Sequence, residues 1–342
     1  IHCGDAIYAD GRLLPTRRLD DGRTWRNLVI PEKMKVAETL AQFHGNYRYN
    51  LMDEHVRRFN AEVPSIYLWD DHETKNNWWP GWALRDARYT IRDGSILTAR
   101  SRRAFFDYVP MARNPWKPGR IYRSIRQGPL VDVFALDGRS FRGPNSRNRN
   151  PIQSPKTAFF GAEQIRWLVE ALAESTAMWK VIACPQPLSA LVFHRSHKYD
   201  GVGNGVGGAP MGRELELARL LTALKERGIT NCVWVTADVH YAAAYRYEPE
   251  RAAVQNFQGF WEFLAGPLNA GTFGPNPVDS TFGPRAEFIS VKRGMRPGAS
   301  PLDGHQFFGM GEVDPTTGQL TVTLRRSTGK VLWSVTIDPQ FA

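Results

Sequence analysis

Three stretches of the sequence each run from apolar residues into a group of side chains that bind metals or transfer protons. They are 1–8 (IHCGDAIY), 66–73 (IYLWDDHE) and 233–240 (VWVTADVH). Carboxylates, imidazoles and phenolates are side chains that proteins use to hold metal ions. The repeated pattern predicts one metal site that is assembled from distant parts of the chain.

A strand that is buried in an α/β sheet is almost entirely apolar until its carboxyl end, where the polar residues of an active-site crevice follow. All three stretches are typical of such strand ends. A single Asp or His in this place is more often structural than functional. The four consecutive ionisable residues 70–73 are harder to explain that way, because their burial is costly unless they are paired or bound to a metal.

The chemistry that such a site supports is the hydrolysis of a phosphate ester. Two metal ions about 3.5 to 4 Å apart can hold a phosphoryl oxygen between them and generate hydroxide in line with the leaving group. The site needs a carboxylate that bridges the ions and several further oxygen and nitrogen ligands. A phenolate favours ferric iron, whereas carboxylates suit calcium, magnesium or manganese. The candidate ligands are Asp5, Tyr8, Asp71, Asp238 and His240.

Hydrophobic periodicity predicts the elements that carry these residues. Helices are expected over residues 32–49, 51–60, 97–108, 162–175 and 214–227. Strands are expected over 66–69, 130–136, 179–183 and from residue 233. Beyond residue 245, short runs between Gly and Pro turns predict an antiparallel closing portion with strands at 260–264, 287–291, 307–313, 320–324 and 331–336.

Two loops bear on function. Residues 73–83 are rich in Asn and Trp, and Trp78, Trp79 and Trp82 either face substrate as an aromatic wall or belong to a small satellite core under the loop. Residues 189–210 are rich in glycine but lack the Gly-Lys-Ser/Thr sequence of a P-loop. We predict a mobile surface loop or lid there.

Composition excludes several classes of protein. The chain has 342 residues, 42% of them hydrophobic, which is enough for the core of one large domain or two ordinary ones. No transmembrane segment is expected, and no signal peptide is visible at the start. The net charge of +10 fits an anionic substrate or surface, or a generally basic protein. No specific nucleic-acid partner is expected, and the sequence indicates no oligomeric state.

Taken together, the motifs of this chain resemble those of the PhoD-like alkaline phosphatases in the metallophosphoesterase superfamily. They occur in the same order and extend over nearly the whole chain, which makes the set specific. The motifs are GDAIYAD (4–10), WDDHE (69–73) with NNW (76–78), LDGRSFR (136–142), GAEQIRWL (161–168) and TADVH (236–240).

The resemblance implies an α/β fold of the metallophosphoesterase type, a four-layer αββα sandwich with mixed sheets. Loops at the strand ends would hold a dinuclear or larger metal centre, with ferric iron and calcium as the usual metals and other divalent ions as alternatives. The resemblance also implies phosphomonoesters and phosphodiesters as substrates. The usual location would be secreted, periplasmic or on the cell surface.

The resemblance also assigns roles to the candidate ligands, position by position. Asp5 would be the bridging ligand, and Tyr8 would bind iron through its phenolate. Asp71 and Asp238 would bind the second metal ion. His240 would bind the first metal ion.

Three further residues are expected near the substrate. His72 would act on the leaving group or the transition-state oxygen as an acid or electrophile. Arg139 is either a phosphate contact, since a planar guanidinium suits phosphoryl oxygens, or the partner of Asp137 in a buried ion pair. Gln186 stands where related enzymes carry a histidine, and it is either a weak ligand or a substrate contact.

We expect residues 1–342 to form a single catalytic domain of this type. The first strand of the superfamily, which supplies a ligand of the first metal, would lie upstream of Ile1, as would any N-terminal accessory domain. If the metal site is incomplete for this reason, the chain would be a non-catalytic protein that binds phosphate esters. The Trp-rich loop leaves open a third function, that of a phospholipase D-like phosphodiesterase for bulky esters.

Overall fold

The computed structural model describes residues 1–114, 116–195 and 197–340. The chain divides into two compact units, residues 1–121 and 122–342, which we call unit 1 and unit 2. Each unit has its own hydrophobic core. The single catalytic domain expected over the whole chain stays a prediction. Among the residues in these ranges, no helix has the length and apolar character needed to cross a bilayer.

In unit 1, the two strands that precede predicted ligands pair with each other. Strand β1 (His2–Cys3) runs parallel to β4 (Tyr67–Leu68). A hairpin of β2 (Thr16–Arg18) and β3 (Thr24–Arg26) separates them in the sequence. Because β1 and β4 are parallel, their carboxyl ends lie side by side, and the polar residues that follow both strands come together.

Three helices complete unit 1, and each begins at a residue whose side chain caps it. The side chains of Thr39, Asp53 and Asp93 accept hydrogen bonds from backbone N–H groups of the first turn, which would otherwise lack partners. The helices are α1 (Leu40–Asn50), α2 (Glu54–Glu62) and α3 (Gly94–Tyr108), and a 3-10 turn covers Pro31–Lys33.

The prediction of a helix over residues 32–49 is wrong in its first part. The 3-10 turn ends at Lys33, and the regular helix starts only at Leu40. Thr39 and Gln42 form a capping box that fixes this start. The backbone N–H of Ala37 donates to the carbonyl of Ala9 over 2.8 Å, so the segment before the cap bonds to a neighbouring loop instead of to its own helix.

The Trp-rich loop belongs to the core of unit 1. Trp78 and Trp82 are 1% and 9% exposed, and both pack in the cluster that includes Trp69 and Phe105. Trp79 is half-buried against the same cluster. Trp78 and Trp82 therefore pack in a core as one interpretation predicted, but this core is the main one of unit 1 and not a small satellite. The loop no longer indicates an aromatic wall for bulky esters.

Unit 2 is built on a seven-stranded mixed sheet. Its members are β5 (Arg123–Arg126), β6 (Val131–Ala135), β7 (Trp179–Ala183), β10 (Cys232–Thr236), β11 (Ala243–Tyr247), β12 (Phe260–Leu264) and β13 (Pro284–Ile289). The strand order is β13, β11, β12, β10, β7, β6, β5. The four central strands β12, β10, β7 and β6 are parallel, and the outer pairings are antiparallel.

A second sheet and two helices pack against this sheet. The second sheet is antiparallel, and its Trp333 ring contacts the rings of Trp261 and Phe288, with centroids 5.9 and 6.2 Å apart. Its strands are β14 (Phe307–Val313), β15 (Leu320–Arg326) and β16 (Val331–Ile337). The helices are α4 (Ala162–Ala173) and α5 (Glu214–Glu226). Two further short strands, β8 (Phe193–His194) and β9 (Lys198–Tyr199), pair antiparallel with each other.

The α/β class with mixed sheets is confirmed. The closing portion is antiparallel as predicted except at β12, which pairs in parallel with β10 on one side and antiparallel with β11 on the other. The surface-loop prediction for 189–210 is wrong for its centre, because residues 199–204 are buried. The amide of Asn148 holds that centre by donating to the carbonyl of Gly201 over 3.0 Å.

Candidate metal centre

The backbone turns sharply after β1 and directs Asp5 toward the end of β4. Gly4 has a φ of +107° and Asp5 a φ of +57°, both in the left-handed region. A Cβ atom at Gly4 would lie 2.6 Å from the Cβ of Asp70, so only glycine fits there. Aspartate is one of the few residues other than glycine that adopts the left-handed region, so the sequence allows this turn.

Hydrogen bonds to Glu73 connect this turn with the residues that follow β4. Its carboxylate accepts hydrogen bonds from the backbone N–H groups of Asp5 at 3.1 Å, Ala6 at 2.6 Å and Asp70 at 2.7 Å. Burial and the neighbouring Asp70 carboxylate raise the pKa of Glu73 to about 7, against the opposing effect of the N–H groups. Glu73 therefore holds both strand ends in register, a role that the sequence pattern did not reveal.

Asp5, Asp71 and His72 form a cluster that fits a metal ion. One ligand atom of each residue lies within 4.8 Å of the ligand atoms of the other two. The backbone N–H of His72 donates to Asp5 Oδ1 over 3.1 Å, and His72 Nε2 lies 3.9 Å from Asp71 Oδ1. Two carboxylates are oxygen ligands that hard cations accept, and the imidazole beside them can either complete the donor set or carry a proton. The residues present thus fit the metal that the resemblance implies.

The His72 ring is fixed on two sides. Its Nδ1 lies 2.7 Å from Oδ1 of Asp10, whose second oxygen accepts from the backbone N–H of Asn76 at 2.8 Å. The Tyr8 ring stacks on the imidazole with centroids 4.2 Å apart. Tyr8, His72 and the two aspartates of the cluster are therefore brought together within unit 1, as the sequence predicts.

The charged groups of this cluster shift one another's pKa values. Burial alone would lower the pKa of His72, but the carboxylates of Asp71 and Asp5 and the hydrogen bond to Asp10 raise it well above its usual value. Burial and the nearby Asp71 carboxylate raise the pKa of Asp5, which His72 opposes. A cation held by the same carboxylates would offset this crowding of negative charge.

Asp10 belongs to the candidate site through its contact with His72, although the sequence analysis did not select it. Burial opposes its ionisation, but the hydrogen bond and the charge of His72 together bring the pKa of Asp10 below its usual value. Asp10 ends the GDAIYAD motif. It was passed over because it follows a polar loop instead of a strand, so the strand-end pattern could not select it.

In unit 2, Asp238 and His240 follow the carboxyl end of β10 as predicted. Asp238 has a φ of +67°, a left-handed conformation that turns the chain directly after the strand. His240 Nδ1 lies 2.6 Å from the carbonyl oxygen of Gly271. Because a carbonyl can only accept, this ring nitrogen carries the proton, and Nε2 has the lone pair that a metal ligand needs.

Gln186 is fully buried and connects Asp238 with a further carboxylate, Asp200. Its Nε2 donates to Asp200 Oδ2 over 2.6 Å and lies 3.5 Å from Asp238 Oδ1. Its Oε1 accepts from the guanidinium of Arg142 at 2.8 Å. The structure thus brings Gln186 and Asp238 together. Asp200 lies inside the glycine-rich segment, and no sequence pattern indicated it.

Arg139 forms a buried ion pair with Asp200, a partner that the sequence did not indicate. Its guanidinium lies 2.8 Å from Asp200 Oδ2, and both side chains are fully buried. Asp137 accepts hydrogen bonds from the backbone N–H groups of Arg139 and Ser140, each at 2.9 Å, and its ion pair with Arg139 stays a prediction. A phosphate contact of Arg139 stays a prediction.

Asp200 is the centre of a buried cationic cluster. Burial opposes its ionisation, but the charges of Arg139, Arg142 and Arg213 lower the pKa of Asp200 far below its usual range. The same burial and the neighbouring Arg142 lower the pKa of Arg213. The three guanidinium groups therefore favour the ionised form of Asp200, which orients the side chains around it.

The chain is similar to a curated alkaline phosphatase. The alkaline phosphatase D of Bacillus subtilis (strain 168) is 24% identical over 309 residues, which are 86% of this chain and 50% of the relative. The chain therefore spans about half the length of the curated relative that it matches.

A solved structure described as the structure of PhoD has the same fold. It superimposes with a TM-score of 0.59 at 18% sequence identity, over 98% of this chain and 66% of the solved chain. The family model of the PhoD-like phosphatases matches residues 1–324. This chain therefore belongs to the PhoD-like phosphatase family.

Proposed function

We propose that this protein hydrolyses phosphomonoesters, phosphodiesters or both in a reaction that depends on bound metal ions. The observation that carries the proposal is the convergence of Asp5, Asp71 and His72 within 4.8 Å in unit 1. Membership of the PhoD-like phosphatase family supports the same reaction. The activity of the longer relative comes to this chain only as part of this proposal.

The residues that would hold the metal ions are Asp5, Tyr8, Asp71, Asp238 and His240. The resemblance favours a dinuclear or larger centre with ferric iron and calcium, and other divalent ions are alternatives. When bound, such ions supply a hydroxide nucleophile at neutral pH and neutralise the charge of the phosphoryl group. Tyr8 suits iron because a phenolate is a strongly basic oxygen ligand.

His72 has the geometry of a general acid. Its Nδ1 faces Asp10 at 2.7 Å, so the imidazole can hold its second proton at Nε2, on the side of Asp71. A proton or a hydrogen bond from Nε2 would stabilise the leaving oxygen as negative charge develops on it. Asp10 would fix the ring and favour its charged form.

The proposal is tested by measuring p-nitrophenol release from p-nitrophenyl phosphate and from bis-p-nitrophenyl phosphate. The protein as purified, the protein after removal of metal with a chelator, and the protein after addition of Fe³⁺ and Ca²⁺ are compared. We expect the chelated protein to lose at least 10-fold in rate, and readdition to restore it. An equal rate in all three samples would exclude metal dependence, and the ratio of the two substrates gives the preference for monoesters or diesters.

A non-catalytic protein that binds phosphate esters is the alternative to an enzyme. Elemental analysis of protein purified without chelator separates the two. One or more metal ions per chain together with turnover supports the enzyme, and less than one metal ion per chain without turnover supports the binding protein.

We also propose that the protein is exported, on the basis of the family resemblance alone. Fractionation of cells that express the full-length gene tests this, and the proposal requires the protein in the medium, in the periplasm or on the cell surface. Recovery only from the cytoplasm would contradict it.

A further inference from the structure

We propose that Lys33 is a positioning residue for Tyr8, because its buried ammonium group holds the Tyr8 backbone and so fixes the direction of the phenol. The inference rests on the proposed function, in which Tyr8 binds a metal ion. It starts from a lysine in unit 1 that is only 8% exposed. Lysine is almost never buried to this extent unless its charged group is bonded, so the contacts of Lys33 need an explanation.

The ammonium group of Lys33 bonds to two oxygen atoms. It donates to the backbone carbonyl of Tyr8 over 2.8 Å and to Oδ1 of Asn46 over 2.7 Å. An ammonium group can only donate, so Asn46 must present its amide oxygen to Lys33. The amide nitrogen of Asn46 donates to the carbonyl of Gln42 over 2.9 Å, which keeps the amide in this orientation. Lys33 therefore links Tyr8 to helix α1, which carries Asn46.

The backbone of Lys33 is fixed as well. Lys33 is the last residue of the 3-10 turn Pro31–Lys33, and its N–H donates to the carbonyl of Ile30 over 3.0 Å. Its own carbonyl accepts from the N–H of Leu13 over 2.7 Å. The side chain is thus held at both ends, unlike that of a surface lysine.

The peptide unit between Tyr8 and Ala9 is held at both of its polar groups. Its carbonyl accepts from Lys33, and its N–H, that of Ala9, donates to the carbonyl of His72 over 2.8 Å. A peptide unit is planar, so bonds on its two opposite edges fix its orientation. That orientation sets the backbone angle ψ of Tyr8 and the direction in which the side chain leaves the backbone. The Tyr8 ring in turn stacks on His72, with centroids 4.2 Å apart.

The charge of Lys33 cannot itself favour a metal ion. A positive charge repels a cation, so a lysine that acted by charge alone would weaken metal binding. Lys33 can therefore assist the metal centre only through its hydrogen bonds. Residues outside the ligand set commonly orient ligands in this way, and their loss costs about 10- to 100-fold in metal affinity or activity. The two effects of removing Lys33 thus have opposite signs: loss of the charge strengthens metal binding, and loss of the hydrogen bond to Tyr8 weakens it.

The test is the visible charge-transfer absorption that a ferric ion gives when a phenolate binds it. The full-length protein is freed of metal with a chelator and titrated with ferric nitrilotriacetate at a fixed excess of nitrilotriacetate. Tyr8→Phe should lack the absorption, which assigns it to Tyr8. For Lys33→Met, which keeps the length of the side chain without its donor, the half-saturating iron concentration should rise about 10- to 100-fold. The absorption per bound iron, with iron measured by elemental analysis, should fall because the phenol is no longer held in one direction.

Lys180→Met is the matched control. Lys180 lies in unit 2, is half-buried and donates from its ammonium group to the backbone carbonyl of Ala177 over 2.7 Å. The change removes the same kind of bond as Lys33→Met does, but away from Tyr8. Lys180→Met should keep the wild-type half-saturating iron concentration and the wild-type absorption per bound iron.

The results separate this inference from the proposed function. A folded Lys33→Met protein that matches wild type in both measurements, or that binds iron more tightly, would overturn the positioning role while the metal-dependent reaction stands. A wild-type protein that hydrolyses bis-p-nitrophenyl phosphate but lacks the absorption would also overturn it, because Tyr8 would then not be a ligand. A wild-type protein that neither binds metal nor hydrolyses the diester would overturn both. If circular dichroism shows that Lys33→Met is unfolded, Lys33→Gln takes its place with the same criteria, since its shorter side chain keeps a polar group beside Asn46.

Discussion

The carboxylate of Asp10 lies 2.7 Å from Nδ1 of His72, and both side chains are shielded from solvent within unit 1. A carboxylate at this distance holds the proton on Nδ1 and fixes the ring. The opposite nitrogen, Nε2, then faces the aspartates that are predicted to bind metal. In the proposed reaction, the pair would let the partly buried His72 deliver a proton to the leaving group.

Asp10→Asn should lower kcat without changing metal content. The amide keeps the shape of Asp10 but removes the negative charge that raises the pKa of His72. We expect kcat for p-nitrophenyl phosphate to fall by about 10²- to 10³-fold, as for loss of general acid catalysis. Elemental analysis should give the wild-type number of metal ions per chain.

Asp107→Asn is the control for this change. Asp107 also accepts from a histidine, with 3.1 Å between its Oδ2 and Nε2 of His44, but this pair lies outside the metal-binding cluster. The kcat of Asp107→Asn should stay within about 2-fold of wild type, since an exposed ion pair contributes little to stability. Equal losses in both variants would contradict a catalytic role of the Asp10–His72 pair.

Gly4→Ala should impair the metal centre. The new Cβ would meet the Cβ of Asp70 at 2.6 Å and would sit on a backbone with a φ of +107°. The end of β1 must then move away from β4, which separates Asp5 from Asp71. We expect a loss of about 2 to 4 kcal/mol in the free energy of unfolding and fewer metal ions per chain.

Gly22→Ala controls for backbone strain alone. Gly22 also has a positive φ, +86°, but a Cβ there would meet no atom within 4 Å. The free energy of unfolding of Gly22→Ala should fall by about 1 kcal/mol, and the variant should keep its metal ions. Urea unfolding gives the stability of both variants, and elemental analysis gives their metal content. If Gly4→Ala matched Gly22→Ala in stability and metal content, the turn after β1 would tolerate a side chain.

The stability of unit 2 should depend on the protonation of Glu214. This residue is 1% exposed at the start of α5, where its Oε2 accepts from the Asn204 amide at 2.6 Å. Burial and the nearby Asp279 carboxylate raise the pKa of Glu214 from 4.5 to about 8. Between these values the folded chain keeps a proton that the unfolded chain releases, so the contribution of Glu214 to stability is lost as the pH rises toward 8.

Glu214→Gln imitates the protonated form at every pH, so it should remove this loss. We expect the variant to match wild type at pH 5 and to exceed it by on the order of 2 to 4 kcal/mol at pH 8.5. The free energy of unfolding of wild type and of Glu214→Gln is measured with urea at each pH. The difference between the two values cancels the effect of the other ionisable groups. A constant difference across this range would show that Glu214 titrates normally.

The sequence carried enough information to place the main strand ends, because an apolar run followed by charged residues is a local pattern. Asp71 and His72 follow β4 and Asp238 follows β10, as that pattern requires. The capping box of Thr39 is also local, but the helical periodicity before it hid the true start of α1. A cap overrides periodicity when the preceding backbone finds partners elsewhere, as Ala37 does.

The supporting residues could not be read in the same way. These residues are Asp10, Glu73 and Asp200, and their partners are distant in the sequence. Glu73 accepts from Asp5 and Ala6, which precede it by 68 and 67 positions. Asp200 pairs with Arg139, which is far upstream. Glycine around Asp200 suggested a mobile surface loop, whereas the small residues allow buried packing there. Only the folded structure shows which carboxylates accept hydrogen bonds and from which donors.

The most direct test of metal-dependent phosphate ester hydrolysis is the rate of bis-p-nitrophenyl phosphate turnover by Asp238→Ala, with the metal content measured on the same sample. Glu226→Gln, an exposed change near the end of α5, is the control and should behave as wild type. We predict that Asp238→Ala loses at least about 10³-fold in kcat and binds less metal per chain, since an uncompensated ligand loss removes the ion's charge stabilisation. Wild-type turnover by Asp238→Ala would contradict the proposal.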